Sequence, residues 1–221
     1  MLKKTLNRLQ FCRKIRPVLF LYYNYVCNRI TRKDHSKIIP YKRAVLDMKK
    51  GSRITLSGGD LEIGCDKLSG SKAETLIRLR ENAVWNNNGG CKISYGCTVE
   101  ILIDAEIDNQ YFTMNSNSTM IARSHISLGN DVMIARNVVI YDSDFHDLLD
   151  EKGKIINDDG KITIGDHVWI GTNCMILKGV NIASNSVVAG GTIITSDIDS
   201  GTLVGNQRMV NEIKDHINWR R

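Results

Sequence analysis

The run DSDFHD, from Asp142 to Asp147, places the imidazole of His146 two residues after Asp144 and four after Asp142. An imidazole with its ordinary pKa of about 6.5 can take or give a proton near neutral pH, and a nearby carboxylate can fix its tautomer and stabilise the imidazolium. Asp144 is the first candidate for that orienting role and Asp142 the second. The competing reading is that His146 simply opens a polar loop. What separates the two is where this hexapeptide sits among the elements around it.

Those elements have a period of six. Hexads opening at Leu128, Ile134 and Ile140 read LGNDVM, IARNVV and IYDSDF, and from Ile164 they read IGDHVW, IGTNCM, ILKGVN, IASNSV, VAGGTI and ITSDID. The second position is often Gly or Ala and the fifth small or aliphatic. An amphipathic helix repeats every 3.6 residues and a half-buried strand every two, so neither produces this spacing. Three hexads make one triangular coil of about 18 residues, with the first residue of each pointing into a narrow prism and successive coils pairing as parallel strands. The fold class expected is an all-β, left-handed parallel β-helix. Upstream of Ile101 the phase fades, which predicts degenerate early coils. His146 stands where the pattern stops, and residues 146–163 form an expected extruded loop whose charges and glycines cannot line a prism.

The flanks differ from this body. Residues 1–53 hold 15 Lys/Arg against Asp34 and Asp47, although the whole chain of 221 residues carries only +6. We expect a basic, partly helical arm over residues 1–50, the β-helix over 51–206, and a helical cap over 207–221. Within the arm, VLFLYYNYV after Pro17 is too short to span a bilayer, so it either packs on the body or makes peripheral contact with a membrane through residues 1–30. No nucleic-acid motif accompanies the charge, so no nucleic acid is expected. Six cysteines without a C-x-x-C pair, and charges that break up the N-terminus, predict reduced thiols and a cytoplasmic protein.

The runs IGDHVWIGTNCMILKGVNIASNSVVAGGTII and LVGN resemble the hexapeptide-repeat acyltransferases, especially the branch that acetylates sugars and surface polysaccharides; the match covers about residues 110–206. The resemblance implies a homotrimer, acetyl-CoA as donor, a glycan or sugar hydroxyl as acceptor, and His146 as base in a cleft between subunits. It implies further that Trp169 lies beside the thioester, that the small residues Gly171, Ala189, Gly190 and Gly191 let the CoA arm approach the backbone, and that an N–H near Gly171 meets the oxyanion. Lys178 and Arg208 are its candidates for the CoA phosphates. Where many members end G-N-P-A, this chain has Gly205, Asn206, Gln207 and Arg208. Asn115 falls on an acceptor-contacting asparagine of soluble-sugar members, but the acid eight positions later is here Arg123, which suits an acidic glycan. Related prisms also serve as carbonic anhydrases, which need three imidazoles on one ion. His125, His146 and His167 are each 21 apart, out of step with the coil, so no metal is expected. N-acetylation of a nucleotide-linked amino sugar or a soluble small molecule, and a non-catalytic scaffold, remain the rival functions.

Overall fold

A computed structural model describes residues 12–206. Three parallel sheets of seven, eight and seven strands are visited in turn, so the chain winds as a three-sided parallel prism. This is the left-handed parallel β-helix that the hexads predict. We name the sheets by what they expose. The polar face runs from Ile30–Arg32 to Asn181–Ile182, the tryptophan face from Ile38–Pro40 to Leu203–Val204, and the tyrosine face from Ala44–Met48 to Ile193–Ile194. Going round the prism, the first corner joins polar to tryptophan face, the second tryptophan to tyrosine, and the third tyrosine back to polar.

The hexad grammar translates directly. Every hexad-opening residue from Leu128 to Ile194 is buried, and so are Val132, Val138, Val168, Cys174, Val180, Ser186 and Thr192 at fifth positions. Ile164 pairs with Ile182, Ile170 with Val188 and Ile176 with Ile194, so on each face the chain returns in register after three hexads. Corners close because the fourth residue turns left-handed: Asp131, Asn137, His167, Asn173 and Asn185 all have φ between 53° and 61°. Asn and Asp tolerate that region because their short polar side chains bond locally.

Upstream coils are longer, as the fading phase predicts: Ile54 pairs with Trp85 and Trp85 with Ile107, both wider steps than three hexads. Coiling nevertheless begins at Ile30, well before the expected boundary at residue 51. The long early turns and their outward Lys and Arg hide the period there. The arm itself caps this first coil. Helix α1 (Pro17–Leu21) and a following π-helical turn (Tyr22–Val26) bury Tyr23 and Asn24 and pack Leu19 and Cys27 on the core. Capping matters because an open coil end would leave apolar residues and strand edges uncovered. No helix among the described residues is long and apolar enough to cross a membrane. The helical cap expected over 207–221, and with it Arg208, lies outside the described residues, as does the start of the arm.

Candidate active site

The tyrosine-face strand Val139–Tyr141 ends at the third corner, and the polar-face strand resumes only at Ile162. The intervening chain is extruded, closed on itself by a bridge between Leu149 and Ile155. His146 sits at its root, exposed, and no group among the described residues hydrogen-bonds its imidazole. The residue before it explains its direction. Phe145 has φ +61°, a left-handed conformation costly for a bulky side chain, held by its N–H on Ser143 Oγ at 2.8 Å and an edge-on contact with Tyr141. Such strain is about 1–3 kcal/mol and persists only where surroundings impose it. Here it turns the chain outward at the histidine.

Neither carboxylate expected to orient His146 does so within the chain. Asp142 is fully buried beneath the corner, where it accepts the Arg123 and Ser124 N–H groups at 2.7 and 2.9 Å; burial pushes its pKa up against those bonds. Its task is to satisfy the backbone of the preceding coil. Asp144 points to Lys178 Nζ at 2.6 Å and Asn157 Nδ2 at 2.9 Å, and the lysine's bond holds its carboxyl below the usual range. Lys178 is correspondingly unavailable to a CoA phosphate: its three N–H donors meet Asp144 Oδ2 and the carbonyls of Asn157 and Asp158, the last two at 2.9 and 3.0 Å. Asn157 completes the brace by donating to the His146 carbonyl at 2.8 Å. Asn157 and Phe145 carry no sequence signal for these roles, because one looks like an ordinary loop polar residue and the other has the wrong side chain for its backbone.

Arg123 is brought to His146. Both line an open cavity of about 200 Å³ with Phe145, Asn157 and Asp159. Arg123 and Asp159 also border a second hollow of about 690 Å³ that climbs the third corner past Ser124, Leu102 and Arg80. Together they form one groove spanning several coils with His146 at its lower end.

The other expected residues are elsewhere. Trp169 projects from the tryptophan face, half-exposed, in an outward ladder with Met133, Val187 and Leu203. Gly171, Ala189, Gly190 and Gly191 follow at the second corner, as does Asn115, so one chain separates them from His146 by a whole face. The Gly171 N–H donates to Val188 O at 2.8 Å and is not free for an oxyanion. A Cβ there would come within 2.6 Å of Gly190 N, so coil stacking alone requires this glycine; at Gly190 the nearest atom would be Thr172 O at 3.2 Å. His167 occupies a left-handed corner and bonds Asp131 at 2.7 Å. His125 bonds Asp108 at 2.7 Å on the polar face, where Glu106 joins them with donor atoms within 4.8 Å, the grouping among described residues that could hold a cation. The three histidines thus lie in three different places.

The hexad prism has counterparts among known proteins. The family model described as the hexapeptide repeat of succinyl-transferase matches residues 161–196. Over 151 residues the chain is 32% identical to the galactoside O-acetyltransferase of Escherichia coli K12, covering 65% of this chain and 70% of that protein. The chain belongs to the hexapeptide-repeat acyltransferases. As such it is an acetyl-transferring enzyme. This acyltransferase is also 32% identical over 90 residues to the polysialic acid O-acetyltransferase of Neisseria meningitidis, covering 40% of this chain and 39% of that one. Its fold is shared with a solved polysialic acid O-acetyltransferase (TM-score 0.55, 24% identity, 87% and 90% of the two chains). A Bacillus cereus N-acyltransferase shares it too (TM-score 0.51, 14% identity, 88% and 85%).

Proposed function

We propose that the enzyme transfers acetyl from acetyl-CoA to a hydroxyl of a surface glycan, or of its lipid-linked precursor, with His146 as general base. The observation that carries this reading is the groove: it runs along several coils and ends at an exposed imidazole that has no hydrogen-bond partner among the described residues. An extended acceptor fits such a track better than a compact one. Arg80 and Arg123 on its wall suit an acidic glycan, although Arg80 is shared with Glu100 at 2.9 Å, Arg123 lies 4.0 Å from Asp159, and Asp104, Asp147 and Asp158 line the same groove. A polysialic acid O-acetyltransferase among the relatives is in keeping with this substrate class.

The neutral imidazole takes the acceptor hydroxyl proton as that oxygen attacks the thioester carbonyl. The C–S bond then breaks, and the imidazolium returns the proton to the departing thiolate. The donor half, with Trp169, Gly190 and their neighbours, lies on the second corner and its adjoining face, so it must come from another copy of the chain. A cyclic homotrimer meets that need, because each heterologous contact joins unlike surfaces. The apolar ladder Met133, Trp169, Val187 and Leu203, with Leu148, Leu149 and Ile156 exposed on the loop, provides surface for such contacts. The missing orienter of His146 would then belong to a neighbour or to the acceptor.

Thiol release from acetyl-CoA across capsular and lipid-linked glycans, for the parent, His146→Ala and His167→Ala, tests the reading. We expect release with at least one glycan, a fall in kcat of about 10²–10⁴-fold for His146→Ala, and parental rates for His167→Ala. Loss in the second variant but not the first would reverse the assignment, and the absence of release with every glycan would overturn the glycan as acceptor.

A further inference from the structure

The arm does two things at once. Its inner side is fixed: Asn24 donates to Ile38 O at 2.7 Å and accepts from Ile38 N at 3.0 Å, Arg32 donates to Tyr23 O at 2.6 Å, and Tyr23 Oη to Leu46 O at 3.2 Å. The helical turns therefore cannot roll, and their outer side is left as an apolar stripe. Val18, Leu21, Tyr22, Tyr25 and Val26 recur at intervals i, i+3, i+4, i+7 and i+8, and are between 47% and 77% exposed. Soluble proteins rarely leave so ordered an apolar row in water.

Positive charge accompanies this row. Lys37 Nζ lies 5.0 Å from the centre of the Tyr25 ring and Lys33 is exposed on the same segment, while Arg16 and Arg29, also exposed, hold the carbonyls of Ala44 and Met48, and Arg13 and Lys14 line a separate hollow with Glu62 and Asp66. The acids of this part of the chain are Asp34 and Asp47; the Asp34 carboxylate is occupied by the N–H groups of Ser36 and Gly58, and that of Asp47 faces Arg78 and Lys49. An apolar row rimmed by positive charge matches the acyl boundary and phosphates of an anionic bilayer, with Tyr rings at headgroup depth. A protein partner of net negative charge would not need five adjacent apolar side chains at the prism tip.

We infer that Val18, Leu21, Tyr22, Tyr25 and Val26, with Lys33 and Lys37 at their rim, form a peripheral docking site for an anionic membrane surface. The stripe lies at the first-coil end of the prism. In the cyclic trimer of the proposed function, on which this one step rests, three such stripes face the same side and bind with avidity, which suits the weak hold of a single short helix.

The full chain should sediment with vesicles containing phosphatidylglycerol, far less with phosphatidylcholine alone, and less as salt rises. Leu21→Glu combined with Tyr25→Glu should lower the partition coefficient by about tenfold or more, and Lys33→Glu with Lys37→Glu should lower it while leaving the apolar row intact. Parental binding in both variants, or no preference for the anionic vesicles, would overturn the site. So would a smaller particle mass for the first variant without lipid, which would mean that another copy covers the stripe. Acetyl transfer to a soluble acceptor should be unchanged in both variants, so a failure of catalysis in the parent would count against the proposed function alone.

Discussion

The two halves of the prism obey one architecture by different means. From Ile164 to Ile194 every coil is three hexads long, and its inward positions are aliphatic or small. In the earlier part of the chain the coils shorten in turn, from Ile54 to Trp85, from Trp85 to Ile107 and from Ile107 to Ile126, and the interior admits polar groups. Trp85, fully buried, donates from Nε1 to Asn109 Oδ1 at 2.8 Å, and Asn109 in turn donates to Asn87 Oδ1 at 2.7 Å. The lesson is that a parallel prism tolerates extra residues at its corners and amides in its core when they bond from coil to coil, even though the buried Asn87 Nδ2 group is left without a partner. The regular half instead carries an outward apolar ladder of Met133, Trp169, Val187 and Leu203.

The largest effect should separate the halves most cleanly. Ile170→Ala opens a cavity where no corner slack exists and should cost about 2–5 kcal/mol in urea unfolding. Trp85→Phe keeps the apolar bulk but strands the Asn109 oxygen, and should cost about 1–3 kcal/mol. A neutral Trp85→Phe would mean that the amide ladder contributes nothing, and the contrast between the halves would fail.

A smaller effect sharpens the contrast at the loop root. Lys178→Ala removes the brace on Asp144 and the Asn157 segment, so kcat should fall by about tenfold, in line with the sensitivity of chemistry to misplacement of the reacting group, while KM for acetyl-CoA stays constant. A raised acetyl-CoA KM at unchanged kcat would restore Lys178 to the donor phosphates.

The smallest effect belongs to the irregular end. Asp34, holding the Ser36 and Gly58 N–H groups, has its pKa lowered from 3.8 to about 2, chiefly by its hydrogen bonds with Ser36. A carboxylate with a lowered folded pKa stabilises the fold above its unfolded value, and the benefit is lost as pH falls from about 4 towards 2. Asp34→Asn should flatten that part of the Tm profile against pH; an unaltered slope would remove Asp34 from the account.

Much of the prism was legible because its inward row admits so few side chains that Leu, Ile and Val recur every sixth residue. The left-handed fourth position, carried by Asp131, Asn137, Asn173 and Asn185, emerges only from the structure and is the better guide to corners, since it also explains why His167 is a turn residue. Sequence spacing failed at the loop root for a geometric reason. Asp142 and Asp144 are near His146 along the chain, but the corner buries the first under the preceding coil and the left-handed turn at Phe145 carries the imidazole away from the second. The early coils were hidden because their register is kept by pairing between strands rather than by equal spacing.

The central claim is that one active site draws on two copies, His146 from the third corner of one and the donor surface around Gly190 from another. Co-expressing His146→Ala with Gly190→Trp, each inactive alone, measures it directly. Random cyclic assembly leaves about one quarter of the contacts with both halves intact, so the mixture should recover about a quarter of parental acetyl transfer. A mixture as inactive as its components would place both halves within a single chain and contradict the account.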